Sequence, residues 1–89
     1  MELDALELAI LKTLIFTESF ERIVEENGYI QDRNIVADGL KSLLKYKLVR
    51  PMNVTENGYS VSLVYDSDKM GAFHYQATAK GIDYMESQP

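Results

Sequence analysis

The chain has 89 residues with a formal net charge of −5, and 46% of its residues are hydrophobic. This length fits a single domain spanning residues 1–89 and excludes a two-domain enzyme with an interdomain cleft, while the hydrophobic content excludes a disordered chain. The sequence contains no cysteine, which removes disulfides, thiolate zinc sites and cysteine nucleophiles together.

The beginning of the chain argues against export. Glu2 and Asp4 give it the wrong charge for a signal or transit peptide. No apolar stretch approaches the ~20 residues that are needed to cross a bilayer. We therefore expect a cytoplasmic protein that does not associate with a membrane.

Three helices are predicted in the first half of the chain. Apolar residues at spacings of three and four predict a first helix over residues 2–16. Thr17 and Ser19 can supply the N-cap of a second helix, which ends at the Asn-Gly pair 27–28. Asp32 suits the N-cap of a third helix that reaches Tyr46. The face of this helix that we expect to be buried consists of Val36, Leu40, Leu43 and Leu44.

Extended segments follow the third helix. Residues 49–55 and 60–65 are rich in strand-forming residues and flank a turn signal at Glu56-Asn57-Gly58. Apolar and polar residues alternate again over residues 73–77, which predicts a third strand. Thr78 then suits the N-cap of a short last helix.

Two segments carry a resemblance to a known family. The first resembles the end of the recognition helix and the first wing strand of MarR- and PadR-type regulators, and its sequence is Leu40-Lys41-Ser42-Leu43-Leu44-Lys45-Tyr46-Lys47-Leu48-Val49-Arg50-Pro51. The second resembles the closing strand of those families and the Thr-x-Lys-Gly that opens their last helix, and its sequence is Tyr75-Gln76-Ala77-Thr78-Ala79-Lys80-Gly81.

The resemblance implies the α+β class and a winged-helix fold. Its expected parts are a three-helix helix-turn-helix core, an antiparallel β wing of two to three strands and a short C-terminal helix. Two features depart from the family pattern. Lys47 stands where these families usually have glycine, and residues 53–73 are longer than a minimal wing.

The resemblance also implies a DNA-binding transcriptional regulator, with helix 32–46 lying in the major groove as the recognition helix. Residues 31–50 carry five basic and two acidic side chains, whereas residues 1–30 carry two basic and seven acidic ones. The candidates for reading bases are Gln31, Arg33 and Asn34. The candidates for contacting phosphates are Lys41, Lys45, Lys47 and Arg50, together with Lys69 in the wing.

A second interpretation is a winged-helix module for protein interaction or dimerisation that does not bind DNA. Asp38 points outward from the middle of the supposed recognition face, and Lys41 and Lys45 also suit an ordinary solvated helix end. An exposed patch formed from aromatic and methionine side chains would need a partner, and its candidates are Tyr46, Tyr59, Tyr65 and Met70. Related regulators dimerise through the first and last helices, which implies a homodimer through Leu3, Leu11, Ile82 and Met85.

Catalysis has little support in this sequence. His74 is the one histidine and falls in a strand pattern, where a surface position is the simpler interpretation. Asp66 and Asp68 are two residues apart in a turn, without the wider acidic loop that binds calcium. We therefore expect no enzyme activity, no cofactor and no metal site.

Overall fold

A computed structural model describes residues 2–27 and 32–87, and Gln31 lies outside this part of the chain. The described residues form four α-helices and a four-stranded antiparallel sheet, so the predicted α+β class is confirmed. In chain order the elements are α1 (Ala5–Thr13), β1 (Glu18–Ser19), α2 (Phe20–Glu26), α3 (Arg33–Lys45), β2 (Val49–Thr55), β3 (Gly58–Val61), β4 (His74–Ala77) and α4 (Ala79–Glu86). None of the helices in this part of the chain is long and apolar enough to span a bilayer.

Side-chain caps set where the helices begin. The Asp4 carboxylate accepts from the Glu7 N–H at 2.7 Å, and the Glu7 carboxylate accepts from the Asp4 N–H at 3.0 Å. This capping box starts α1 at Ala5 rather than at residue 2, so the predicted span of 2–16 is too long. The predicted caps Asp32 and Thr78 are confirmed, and of the two caps predicted for the second helix, Thr17 and Ser19, the structure uses Ser19.

The core lies between the helices and one face of the sheet. The predicted buried face of α3 is confirmed, since Val36, Leu40 and Leu43 have no exposed surface and Leu44 is 8% exposed. The other members of the core are Ile10, Leu11, Leu14, Phe20, Ile23, Leu48, Val49, Met70, Tyr75 and Ala77.

The sheet has four strands in the order β1-β4-β2-β3, whereas two to three were predicted. The extra strand is β1, whose two residues pair with Tyr75 and His74 of β4 and were too few to give a sequence pattern. The second strand of the hairpin forms, but its predicted span of 60–65 is wrong, because β3 covers Gly58–Val61. The Ser62 N–H donates to the Pro51 carbonyl at 2.9 Å, but Pro51 has no N–H to return, so the β2–β3 ladder ends there.

The end of α3 adopts a Schellman motif with a lysine at the left-handed position. The Lys47 N–H donates to the Leu44 carbonyl at 3.1 Å and the Leu48 N–H to the Leu43 carbonyl at 3.0 Å. Lys47 has a φ of +61°, which glycine adopts more readily. The turn therefore has the left-handed geometry that a glycine normally adopts at this position, although the residue is a lysine.

Candidate nucleic-acid interface

An open depression of about 210 Å³ lies between the N-terminal half of α3 and residues 67–71, which belong to the connection from β3 to β4. We call it the basic depression because Arg33, Asn34, Lys41 and Lys69 line it. Its other lining residues are Phe20, Ala37, Ser67, Asp68, Met70 and Gly71. Four of the eight residues predicted to contact DNA therefore meet at one place, although Lys69 is distant from α3 in the sequence.

The loop that carries Lys69 is fixed by the core. The Tyr75 hydroxyl donates to the Met70 carbonyl at 2.5 Å, and the Met70 side chain is only 5% exposed. Burial raises the pKa of Tyr75 well above its usual value, so the hydroxyl keeps the proton that it donates. The Lys69 N–H donates to the Asp66 carbonyl at 3.0 Å. Met70 was expected to be exposed, and its burial holds the neighbouring Lys69 beside α3.

Arg33 is already engaged by an acidic side chain. Its two terminal nitrogens donate to the two carboxylate oxygens of Glu21 at 2.5 and 2.6 Å, and its guanidinium carbon lies 5.1 Å from the centroid of the Phe20 ring. This hydrogen bonding lowers the pKa of Glu21 and raises the pKa of Arg33. Glu21 is therefore a member of the site that the sequence analysis missed, since its position suggested only the start of a helix.

The outward face of α3 alternates in charge. The Lys41 ammonium lies 3.9 Å from the Asp38 carboxylate, at the outer limit of an ion pair, and the Asp38 side chain is 79% exposed. Asn34 and Lys45 are exposed on this face of the helix. Asn34, Lys41 and Lys45 thus lie beside the unfavourable carboxylate of Asp38 that the sequence indicated.

A second group of cations lies at the C-terminal end of α3. Lys45 and Lys47 are exposed there, and the Lys80 ammonium donates to the Tyr46 carbonyl at 3.1 Å. Lys80 was visible in the sequence only as part of the Thr-x-Lys-Gly segment. Its contact with the last turn of α3 compensates the negative end of the helix dipole.

Arg50 is held within the sheet. Its Nη2 donates to the Gln76 Oε1 at 3.2 Å, and its Nε is buried without a hydrogen-bond partner among the described residues. The half-buried guanidinium is thus oriented by a neighbouring strand, and it is less available to a phosphate than the exposed lysines.

The predicted helical dimer surface is smaller than expected. Leu11 has no exposed surface because it packs inside the core, so assigning it to a dimer interface is wrong. Leu3 and Met85 are half-buried against the core, and the Leu3 N–H donates to the Tyr84 hydroxyl at 3.1 Å. Ile82, at 36%, is the most exposed of the four side chains.

An acidic groove of about 230 Å³ lies between α1 and α3. We define it by Asp4, Glu7 and Asp38, and it is also lined by Leu6, Ile35, Gly39 and Ser42. Sequence analysis did not bring these acids together, because Asp4 and Glu7 belong to a different helix from Asp38.

The remaining polar side chains give no second chemical site within the described residues. His74 packs against the Tyr59 ring at a centroid distance of 5.3 Å, and no group of acidic and histidine side chains there is arranged to hold a metal ion. The chain matches no family model, no curated protein and no solved structure.

Proposed function

We propose that this protein is a cytoplasmic, DNA-binding transcriptional regulator of the winged-helix type, with α3 as its recognition helix. The observation that carries the proposal is the basic depression, where Arg33, Asn34 and Lys41 of α3 meet Lys69 from a distant loop. The order of three helices, strands and a last helix is compatible with this fold. Net charge alone does not oppose the proposal, because residues 31–50 carry five basic and two acidic side chains.

Each part has a distinct role in this proposal. Asn34 reads a base edge in the major groove, for which an amide suits adenine. Gln31 and Arg33 were also predicted to read bases, and Arg33 must leave the carboxylate of Glu21 to contact one. Lys41, Lys45, Lys47 and Lys69 contact phosphates. The proposal no longer needs Arg50, since Gln76 already orients its guanidinium.

The loop before β4, rather than the hairpin turn, contacts the phosphate backbone in this proposal. The β2–β3 turn carries Glu56 and no cation, so it would repel a phosphate. Lys69 lies in the loop that borders α3. This proposal also explains why the connection from β3 to β4 is long, because the connection places Lys69 beside the recognition helix.

The test is the fluorescence anisotropy of a labelled random duplex titrated with the protein at about 50 and 200 mM salt, a range over which phosphate contacts weaken steeply. Lys41→Ala and Lys69→Ala should each weaken binding to every sequence and reduce the salt slope by about 1. The matched control is Lys12→Ala, which removes the same charge from an exposed position on α1. Absence of binding at the lower salt, or equal weakening by Lys12→Ala, would contradict the proposal.

A protein-interaction module without DNA binding remains the second candidate function. It is favoured by exposed apolar side chains in residues 54–65, which lie outside the basic depression. A protein that ignores the duplex at both salt concentrations and still associates through this region would support the second candidate.

A further inference from the structure

The strand at the open edge of the sheet is unusually apolar. β3 pairs with β2 on one side only, and all four of its residues are exposed. Residues 57–65 contain neither a charged side chain nor a proline, which are the devices that usually prevent edge strands from pairing with another chain. Six of the eleven exposed large hydrophobic side chains among the described residues lie in this region: Val54, Tyr59, Val61, Leu63, Val64 and Tyr65. We call residues 54–65 the apolar edge.

The register shows which backbone groups are unpaired. The Ser62 N–H points toward β2, where it donates to the Pro51 carbonyl. Since backbone groups alternate in direction along an antiparallel strand, those of Ser60 also point toward β2, and those of Tyr59 and Val61 point away from the sheet. Tyr59 and Val61 pair with Val54 and Met52 and so project from the same face of the sheet as those residues.

We propose that a second copy of this chain pairs with β3 across a two-fold axis, so that the two sheets join into one antiparallel sheet. In the register that satisfies both outward-facing residues, Ser60 lies at the axis and Tyr59 of one copy exchanges backbone hydrogen bonds with Val61 of the other. This register also places each Tyr59 ring beside a Val61 side chain, an aromatic and β-branched pair that stabilises sheets.

Charge favours a second copy at this edge over other surfaces. Each chain carries a net charge of −5, so two copies repel one another and make contact most favourably over an uncharged segment such as residues 57–65. The apolar edge provides two tyrosines and four aliphatic side chains that are 38% to 97% exposed. That surface is of the order of the roughly 500 Å² that each partner contributes to the smallest specific interfaces.

This inference does not depend on DNA binding, and salt separates the two. Screening reduces the repulsion between acidic copies, so dimerisation should strengthen as salt rises, whereas binding to a polyanion weakens. A chain that dimerises without binding DNA would contradict only the proposal of DNA binding. A chain that binds DNA as a monomer would contradict only the proposal of the dimer.

The experiment is sedimentation equilibrium of the full chain over a series of protein concentrations at low and high salt. The wild type should form a dimer, and Val61→Lys should raise the dimer dissociation constant by about tenfold or more. Val61→Pro removes an outward N–H without removing a bond to β2 and should have the same effect. Ile82→Lys adds the same charge on the helical surface and should dimerise like the wild type.

Two readouts keep the test decisive. Circular dichroism checks that each variant is folded. If the Val61→Pro variant is unfolded, the Val61→Lys variant alone decides whether β3 forms the dimer interface. Amide hydrogen exchange should show that protection of Tyr59 and Val61 increases with protein concentration, while Ser60 is already protected in the monomer. A wild type that stays monomeric at high salt, a Val61→Lys variant that dimerises normally, or loss of the dimer in Ile82→Lys would overturn the proposal.

Discussion

The two sides of α3 differ in charge. On one side, Arg33, Asn34 and Lys41 line the basic depression, and on the other, Asp38 joins two acids of α1 in the acidic groove. A single helix therefore borders one depression lined by three cations and another lined by three carboxylates, a difference that the net charge of −5 does not show. The sign of a total charge therefore decides little about nucleic-acid binding when the fold segregates the charges.

The difference between the two sides persists only while α3 is held in place. Its C-terminal turn packs on α4 where a glycine permits close approach, since a Cβ at Gly81 would lie 2.1 Å from the Leu48 carbonyl oxygen. Gly81→Ala should therefore lower the free energy of unfolding by about 3 kcal/mol, as overpacking against backbone does. Urea denaturation measures this loss.

Gly71→Ala is the control for that prediction. Its Cβ would meet the Phe20 ring at 4.0 Å, an ordinary contact distance. The substitution should change the free energy of unfolding by less than about 0.5 kcal/mol. Equal losses in the two variants would mean that the close approach at Gly81 does not constrain the end of α3.

Asp38 lies at the border between the two sides, and its removal should strengthen the basic side. Asp38→Asn takes away the carboxylate that lies 3.9 Å from the Lys41 ammonium and faces the proposed phosphate path. We expect affinity for a random duplex to rise about fivefold at low salt, roughly 1 kcal/mol. Fluorescence anisotropy measures the change.

Glu7→Gln distinguishes local from global charge in the same assay. Glu7 also lines the acidic groove, but it belongs to α1 and its carboxylate contacts the Asp4 N–H. Glu7→Gln should raise the affinity for the random duplex less than Asp38→Asn does. Equal gains would show that the total charge, rather than the side of α3, controls binding.

Local signals in the sequence were sufficient for α3 and for the start of α4. The caps at Asp32 and Thr78 and the leucine spacing of α3 act within a few residues, so a pattern reveals them. The span Val49–Thr55 of β2 was predicted for the same reason, from its extended-chain residues. These elements position one half of the candidate site.

The other half of the site depends on contacts that are distant in sequence. Lys69 reaches α3 because Met70 enters the core and accepts a hydrogen bond from Tyr75. The Glu21 carboxylate accepts hydrogen bonds from Arg33 and offsets its charge, although the two residues are 12 positions apart in the sequence. A single sequence has no local pattern for either pairing. Predicting that β3 ends at Val61 would have required knowing that Pro51 of β2 lies opposite Ser62.

A smaller effect on stability is expected at the left-handed lysine that ends α3. Lys47→Gly should raise the free energy of unfolding by about 0.5 kcal/mol, because glycine adopts a φ of +61° with less strain. Lys45→Gly, two residues earlier and still helical, should instead lower it by about 1 kcal/mol. Urea denaturation of both variants checks for opposite signs, and a loss in both would show that the turn does not strain Lys47.

The smallest effect is expected from the ion pair that occupies Arg33, because both groups are exposed and screened by salt. The hydrogen bond from Arg33 lowers the pKa of Glu21 below its ordinary 4.5, so the pair stabilises the fold above that pH. The stabilisation is lost as pH falls through the lowered folded-state value. Glu21→Gln should therefore be less stable than the wild type near neutral pH and equal to it in acid, as measured by urea denaturation across pH. In an Arg33→Gln background the same change should have no such pH-dependent effect, and an effect that persists there would mean that Glu21 acts through something other than Arg33.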